Sequence, residues 1–362
     1  MDAEKEEYFK SFTIETISFD SMYDNVHVVH PTLSIQDKNL PRQMVKKYVS
    51  ASTYNEANYI EECNKYSNFS VKLYYKYLNG DLVKQKSCYL LIEYCEKGSL
   101  SNYLSTKSLI TTVFQFINLG KTFHIMHEHN LFHRDIKPDN IFITKGNIYK
   151  IGDFDVSRKT SLELTNTTTV KGTPNFLPKK YREILESQES LSPKTLAYID
   201  IFAFGKTLIK CFIGNDYENF YLQGQDLLNK IEKNIIQNNV FNVDHINNHE
   251  SLNRNIKEFS KFLIFLVNED VNELTYNFGD VANWLKKWLV EFLKYQQDYF
   301  CYICSCSILG HDIIIPCSGN CNHCFHLECI KSYLDCDTQC NMCPLCDAEG
   351  DIKDIREFFI SY

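Results

Sequence analysis

Three stretches of the chain repeat their hydrophobic and polar positions regularly enough to predict secondary structure. Residues 12–30 alternate with the period of two that is typical of β-strands. Thr111–Asn130 repeats its apolar positions with the period of an α-helix. Asp280–Gln296 does so more strongly, with its tryptophans and leucines on one side, which predicts an amphipathic helix packed against a core.

Shorter apolar runs near the middle of the chain predict a β-hairpin between two polar loops. Ile141–Thr144 and Tyr149–Ile151 enclose a turn that contains Gly and Asn. Asp135 and Asn140 precede the hairpin, five residues apart, and Asp153 follows Asn140 by thirteen residues. Such a hairpin would bring a proton acceptor and a metal-binding pair to one place. Phosphoryl transfer needs these groups, because its catalysis is mostly positioning and neutralisation of charge.

This stretch resembles the catalytic loop and the metal-binding motif of protein kinases. It reads His133-Arg134-Asp135-Ile136-Lys137-Pro138-Asp139-Asn140 and, after the hairpin, Asp153-Phe154-Asp155. The resemblance implies that Asp135 accepts or orients the proton of the substrate hydroxyl. Asn140 and Asp153 would hold Mg²⁺ against the phosphates of ATP. Lys137 would contact the transferred phosphate, and lysine at this position is typical of Ser/Thr rather than Tyr kinases.

The kinase resemblance covers residues 12–297 and implies a two-lobed α+β fold. The β-rich small lobe would span about 12–95 and the helical large lobe about 96–297. Between them, the backbone of Glu93 and Cys95 would bind the adenine of ATP. Asp200 would begin the central helix of the large lobe and brace the catalytic loop.

One predicted strand of the small lobe, Gln43–Val49, resembles the kinase strand that carries the phosphate-binding lysine, with Lys46 as the candidate. Lys46 and Lys47 would point to opposite faces of that strand, and the resemblance favours Lys46. Glu56 lies in the predicted helix that follows and would pair with this lysine. Glu61 and Glu62 are the other glutamates available in that helix.

Several positions depart from the kinase pattern. The segment that should cover the phosphates with glycines, Phe19–Val26, has none. Asp155 stands where glycine usually follows the metal-binding aspartate, and it adds negative charge there. Lys179 replaces the glutamate of the family's Ala-Pro-Glu motif, and Glu273 stands where its arginine partner is expected, so we hypothesise a charge-swapped pair. An inactive kinase fold therefore remains an alternative.

The cysteines are concentrated in the C-terminal part of the chain. Of 15 cysteines, 11 lie from Cys301 to Cys346, which marks a domain boundary near residues 296–300. In a reducing compartment such a cluster favours metal over disulfides. Four pairs have the spacing of zinc ligands, namely Cys301 with Cys304, Cys321 with His323, His326 with Cys329, and Cys343 with Cys346. These ligands predict two Zn²⁺ ions, which would supply folding energy to a short module.

The order of these ligands resembles that of a RING finger with two central histidines, over residues 298–350. The resemblance implies that the first and third pairs share one zinc and that the second and fourth pairs share the other. Cys317 or Cys324 could replace a ligand of the second pair. RING fingers recruit a ubiquitin-conjugating enzyme, and the positions that usually contact it correspond to Ile303, Tyr333 and Pro344-Leu345. Asp347 replaces the basic residue that often completes that surface.

Charge and composition argue against two classes of partner, nucleic acids and membranes. A net charge of −8 without a basic stripe argues against a nucleic-acid partner. No apolar run has the length of a membrane span, and the acidic start of the chain is unlike a signal peptide, so we expect a cytoplasmic or nuclear protein without a membrane partner.

The sequence therefore predicts a Ser/Thr kinase that acts on protein substrates with ATP and Mg²⁺, fused to a two-zinc RING finger that recruits a ubiquitin-conjugating enzyme. One alternative is a RING ubiquitin ligase whose kinase-like domain only binds substrate or nucleotide. Another is a scaffold with neither activity.

Overall fold

A computed structural model describes most of the kinase-like region and parts of the C-terminal module. The described parts are residue 9 and residues 12–14, 25–31, 41–49, 55–77, 88–104, 108–160, 171–183, 191–214, 224–238, 249–269, 276–293, 301, 303–304, 314–316, 324–326, 329–330 and 332–333. Glu273 and four of the predicted zinc ligands lie outside these ranges, namely Cys321, His323, Cys343 and Cys346. Most of Phe19–Val26 also lies outside them.

The described part of the small lobe contains an antiparallel sheet and a helix. Its strands are β1 (Phe12–Ile14), β2 (Val26–Pro31), β3 (Met44–Val49), β4 (Leu73–Tyr77) and β5 (Cys88–Glu93), in the order β1-β2-β3-β5-β4. The strands predicted over residues 12–30 are confirmed at β1 and β2. Helix α1 (Glu56–Asn64) buries Glu56, Ala57, Ile60 and Cys63, which lie along one face at helical spacing.

The large lobe is built from helices. They are α2 (Leu109–Glu128), α3 (Lys179–Glu183), α4 (Pro193–Ile213), α5 (Gly224–Asn238), α6 (His249–Leu266) and α7 (Phe278–Leu293). The side chain of Ser108 caps α2 by accepting a hydrogen bond from the backbone N–H of Thr111 at 3.2 Å. Gly120 brings α2 and α7 close together, since a Cβ there would lie 3.2 Å from the Cβ of Ala282.

The predicted amphipathic helix is confirmed as α7, and its aromatic stripe packs in the core. Trp284 stacks on Phe262 of α6 with ring centroids 3.7 Å apart. Trp288 stacks on Phe259 at 4.3 Å. Burial of these aromatic faces holds α6 and α7 together.

The predicted hairpin is confirmed between the catalytic loop and the metal-binding motif. Its strands are β7 (Ile141–Ile143) and β8 (Tyr149–Ile151), paired so that Ile141 faces Ile151. The pairing continues past the strands, because the backbone N–H of Gly152 donates to the carbonyl oxygen of Asn140 at 2.9 Å. A second short pair, β6 (Leu131–Phe132) with β9 (Arg158–Lys159), flanks the hairpin on both sides along the chain.

The described part of the C-terminal module is small and packs against the kinase-like region. Strand β10 (Ile314–Pro316) pairs with β11 (Cys324–His326) in antiparallel fashion. Ile303, Phe325, Ile330 and Tyr333 are buried in the same hydrophobic cluster as residues of both lobes. Among the described helices, none has both the length and the apolar character that crossing a membrane requires.

Candidate functional site

The catalytic loop is held in place by Asp200 of helix α4. Its buried carboxylate accepts hydrogen bonds from the backbone N–H groups of His133 at 2.9 Å and Arg134 at 2.7 Å. Arg134 has a φ of 70°, which is uncommon for a residue other than glycine. The bonds from a rigid helix fix this strained loop, as the sequence predicts for Asp200.

Asp135 is the centre of a hydrogen-bonded set. Its Oδ2 accepts from the Nζ of Lys137 at 2.7 Å and from the Nδ2 of Asn140 at 3.0 Å. Its Oδ1 accepts from the backbone N–H of Thr173 at 2.8 Å and from the Thr173 hydroxyl at 2.7 Å. Lys137 also donates to the Thr173 hydroxyl at 2.7 Å. The structure therefore joins the predicted Asp135, Lys137 and Asn140 and adds Thr173.

Thr173 was not predicted as a partner of Asp135, and it lies in the segment Gly172-Thr173-Pro174. Gly172 precedes it with a φ of 129°, and a Cβ at Gly172 would lie 2.5 Å from the carbonyl oxygen of Arg134. Glycine at this position lets the turn approach the catalytic loop closely. The Gly-Thr-Pro motif was the available sequence signal, but its contact with Asp135 depends on the tertiary fold.

The small lobe places Lys47, rather than the predicted Lys46, at the metal-binding motif. The Nζ of Lys47 lies 2.8 Å from Glu56, 2.8 Å from Asp153 and 2.6 Å from Asp155. Glu56 is thus the glutamate of α1 that forms an ion pair with Lys47. The backbone N–H of Phe154 also donates to Glu56 at 3.3 Å, which ties α1 to the metal-binding motif.

The prediction of Lys46 is therefore wrong. Its Nζ lies over the aromatic ring of Tyr89, 4.2 Å from the centroid, on the face of β3 opposite to Lys47. The alternation of a strand predicts that the two lysines point to opposite faces. It does not say which face turns toward the cleft, because that depends on how β3 pairs with its neighbours.

Three carboxylates around one ammonium group leave this cluster with an excess of negative charge. Burial alone would lower the pKa of Lys47, but the carboxylates of Glu56, Asp153 and Asp155 raise it above its ordinary value. Burial raises the pKa of Glu56 to about 8, against the opposing charge of Lys47 and with a further contribution from Asp155. Burial also disfavours ionisation of Asp153, yet Lys47 holds its pKa below the ordinary value.

Adenine binding was predicted for the backbone of Glu93, the last residue of β5, and of Cys95, two residues later. The carboxylate of Glu93 accepts from the Nζ of Lys150 at 2.7 Å and from the backbone N–H of Lys72 at 3.1 Å. These bonds engage the side chain of Glu93 within the protein, and its backbone N–H donates to the carbonyl oxygen of Lys72 at 2.8 Å. Adenine binding by Glu93 stays a prediction. The side chain of Cys95 is buried, and its carbonyl oxygen accepts from the N–H of Gly98 at 2.9 Å.

A second cluster lies in the C-terminal module. One ligand atom each from Cys301, Cys304, His326 and Cys329 lies within 4.8 Å of the others. The Sγ of Cys304 and the Nδ1 of His326 are 3.2 Å apart. Three thiols and one imidazole are a donor set suited to tetrahedral zinc. The structure thus brings together the first and third predicted pairs, while the second and fourth lie outside the described residues.

Comparison with known proteins bears on the kinase-like region. Residues 34–275 match the family model described as the protein kinase domain. The chain is similar to a serine/threonine-protein kinase stk11 homolog of Dictyostelium discoideum, with 27% identity over 67% of this chain and 44% of the relative. It is also similar to serine/threonine-protein kinase 4 homolog B of the same organism, with 31% identity over 36% of this chain and 12% of the relative.

A third relative comes from rat, the interferon-induced, double-stranded RNA-activated protein kinase. It is 28% identical over 44% of this chain and 33% of its own length. The chain therefore spans less than half the length of these relatives.

Proposed function

The chain belongs to the protein kinase family, with a serine/threonine kinase domain, and from that premise we propose that it transfers the γ-phosphate of ATP to serine or threonine hydroxyls of proteins. The observation that carries this proposal is the hydrogen-bonded set around Asp135. It holds a proton acceptor, a cation for the transferred phosphate and a metal-binding amide within one network. Catalysis of phosphoryl transfer requires this kind of positioning.

The residues of the site fit Mg²⁺ and ATP. Asn140 and Asp153 offer the amide and carboxylate oxygens that Mg²⁺ prefers, and Lys47 offers an ammonium group for the phosphates. When bound, Mg²⁺ supplies neutralisation of phosphate charge. Asp135 would hold the substrate hydroxyl, and Lys137 would steady the phosphate next to it. The bond between Thr173 and Asp135 would set the turn of Thr173 at the distance that a substrate side chain needs.

The experiment on substrate class uses the purified chain with γ-labelled ATP, Mg²⁺ and a mixed protein substrate. We expect label on serine and threonine in the hydrolysed product, and loss of label when Asp135→Asn is used. Label on tyrosine alone would contradict the Ser/Thr assignment. Label that persists in Asp135→Asn would remove Asp135 from the catalytic role.

We further propose that Cys301, Cys304, His326 and Cys329 hold one Zn²⁺. The support is their mutual distance in the structure together with the tetrahedral preference of the metal. Elemental analysis of the purified chain should find at least one zinc per chain, and Cys329→Ser should lose it. A second zinc, bound by Cys321, His323, Cys343 and Cys346, stays a prediction.

Recruitment of a ubiquitin-conjugating enzyme also stays a prediction. Ile303 and Tyr333, the contact positions named by the RING resemblance, have exposed fractions of 0% and 1%. Ligase activity would need this face to leave the kinase domain. A panel of conjugating enzymes with ubiquitin tests it, and the absence of ubiquitin transfer with every enzyme would contradict it.

A further inference from the structure

One aromatic side chain of the C-terminal module, that of Tyr333, contacts both lobes of the kinase domain. The ring of Tyr333 lies 5.8 Å from the ring of Phe69 and 5.7 Å from the ring of Phe114, measured between centroids. Phe69 follows α1 in the small lobe, and Phe114 lies in α2 of the large lobe. All three rings are buried. Tyr333 therefore packs between a residue of the small lobe and a residue of the large lobe.

The small-lobe side of this contact leads to the catalytic cluster. The carbonyl oxygen of Phe69 accepts from the N–H of Ile151, and the N–H of Val71 donates to the carbonyl oxygen of Ile151, both at 2.8 Å. Ile151 is the last residue of β8, two positions before Asp153. On the other side, the side chain of Asn64 at the end of α1 donates to Ser70 at 2.6 Å. Tyr333 thus packs on a segment that joins α1, which carries Glu56, to the strand that leads to Asp153.

The hairpin turn of the large lobe makes a second close contact with the module. A Cβ added at Gly146 would lie 2.3 Å from the Oγ of Ser332 and 2.5 Å from its Cβ. Side chains do not approach so closely, so the absence of a side chain at Gly146 permits this docking. The φ of Gly146 is outside the left-handed region, and alanine there would otherwise be tolerated.

The metal cluster is directly connected to this contact. Cys329 and Ile330 have helical backbone, as do Ser332 and Tyr333. Cys329 and Tyr333 are separated by only three residues along the chain, so the metal ligand and the aromatic ring are close in sequence. If Cys329 lost its zinc, the segment that carries the ring of Tyr333 would no longer be held by the metal.

We propose that the C-terminal module is an intramolecular partner of the kinase domain, docked through Ser332 and Tyr333, and that zinc keeps it docked. This inference rests on the proposed zinc site. The docked module braces Ser67–Val71 and β8, and through them the cluster of Lys47, Glu56 and Asp153. The same face is the one that the RING resemblance assigns to a conjugating enzyme, so binding of such an enzyme and docking on the kinase exclude each other.

The experiment compares variants of the full chain by hydrogen–deuterium exchange and zinc content. Tyr333→Ala removes the ring, and Gly146→Ala places a methyl group against Ser332. We expect each to speed amide exchange in Ser67–Val71 and Lys145–Ile151, by on the order of tenfold or more, while zinc content is kept. Chelation of zinc in the wild-type chain should speed exchange in the same segments.

Two matched controls keep the comparison specific. Tyr333→Phe retains the ring and should keep the slow exchange of the wild type. Lys145→Ala alters an exposed residue of the same turn without adding volume near Ser332 and should do the same. Kinase activity should fall in Tyr333→Ala and Gly146→Ala but not in the controls.

The outcomes separate the docking from the zinc site. A wild-type chain without zinc would overturn the proposed site. A chain that loses zinc in Cys329→Ser, yet keeps slow exchange in Ser67–Val71, would overturn the coupling while leaving the site intact. Unchanged exchange in both Tyr333→Ala and Gly146→Ala would show that the module does not dock in solution.

Discussion

Lys47 is the point at which the small lobe meets the metal-binding motif. Its ammonium group bonds Glu56, Asp153 and Asp155, whereas Lys46 lies over Tyr89. We predict that Lys47→Ala lowers kcat/KM for ATP by about 10²-fold, because a fixed charge that acts on phosphates is lost. Lys46→Ala is the matched control and should change it by less than about twofold, since its charge is outside the cleft. Equal losses in the two variants would contradict this assignment.

Asp155 restrains Lys47 through the shortest of the three ion pairs, at 2.6 Å. A carboxylate there competes with the phosphates of ATP for the same ammonium group. We predict that Asp155→Gly, which restores the residue usual in the family, lowers KM for ATP and raises kcat/KM by about tenfold, the effect of about 1.4 kcal/mol. Asp155→Glu is the control that keeps the charge, and it should stay near the wild-type value. A fall in kcat/KM in Asp155→Gly would indicate that Asp155 assists Mg²⁺ instead.

Glu56 makes the stability of the fold depend on pH. Burial raises its pKa to about 8 from an ordinary value of 4.5, so between these values the folded chain holds a proton that the unfolded chain releases. The free energy of unfolding therefore decreases as pH rises from about 4.5 to about 8. We predict that Tm falls between pH 6 and 8 more steeply in the wild type than in Glu56→Gln, which cannot titrate. Parallel Tm profiles would contradict the raised pKa.

The residues of the candidate site that could be predicted from the sequence are mostly those that lie together in a short motif. Asp135, Lys137 and Asn140 lie within six residues, so the local chain largely fixes their proximity, and the structure joins them. The choice between Lys46 and Lys47 depended on the pairing of β3 with β5, which local pattern does not encode. The contact of Thr173 with Asp135 spans 38 residues and likewise depends on the tertiary fold.

At the scale of elements, an ion pair joins helix α3 to the loop after α6. Its basic residue lies in α3 and its acidic residue in the loop, the reverse of the family's glutamate and arginine. The Nη2 of Arg182 lies 3.3 Å from the Oε1 of Glu269. The hypothesised pair was Lys179 with Glu273, and Glu273 lies outside the described residues. The pair of Lys179 with Glu273 therefore stays a prediction.

This ion pair should be weak, because both side chains are about one-third exposed. We predict a coupling free energy of about 1 kcal/mol or less in a double-mutant cycle of Arg182→Glu and Glu269→Arg, measured by chemical denaturation. The double variant should recover part of the stability that each single variant loses. Strict additivity of the two losses would show that the side chains do not interact.

The periodicity of apolar residues predicted secondary structure well in elements that bury only one face. Helix α7 shows this, since its apolar stripe packs on α6, and its ends differ from the prediction by only a few residues. The hairpin of β7 and β8 was found because a turn with Gly and Asn separates two apolar runs.

For the whole molecule, the sequence predicted two consecutive domains but not their contact. The step in cysteine content predicts a boundary near residues 296–300, and this boundary stays a prediction. Composition cannot show that Tyr333 packs between Phe69 and Phe114, because partners across a domain interface leave no local pattern. Tyr333, which the sequence assigned to an external partner, is thus buried against these two rings of the kinase domain.

The central claim is that this chain is an active phosphotransferase with Asp135 at its centre. The most direct measurement is the initial rate of phosphate transfer from Mg²⁺-ATP to a protein substrate, for the wild type, Asp135→Asn and Asp139→Asn. Asp139 is exposed and offers the same change of charge four residues away. We predict that Asp135→Asn lowers the rate by about 10²–10⁴-fold and that Asp139→Asn leaves it within about twofold. No transfer by the wild type, or equal rates in the wild type and Asp135→Asn, would contradict the account.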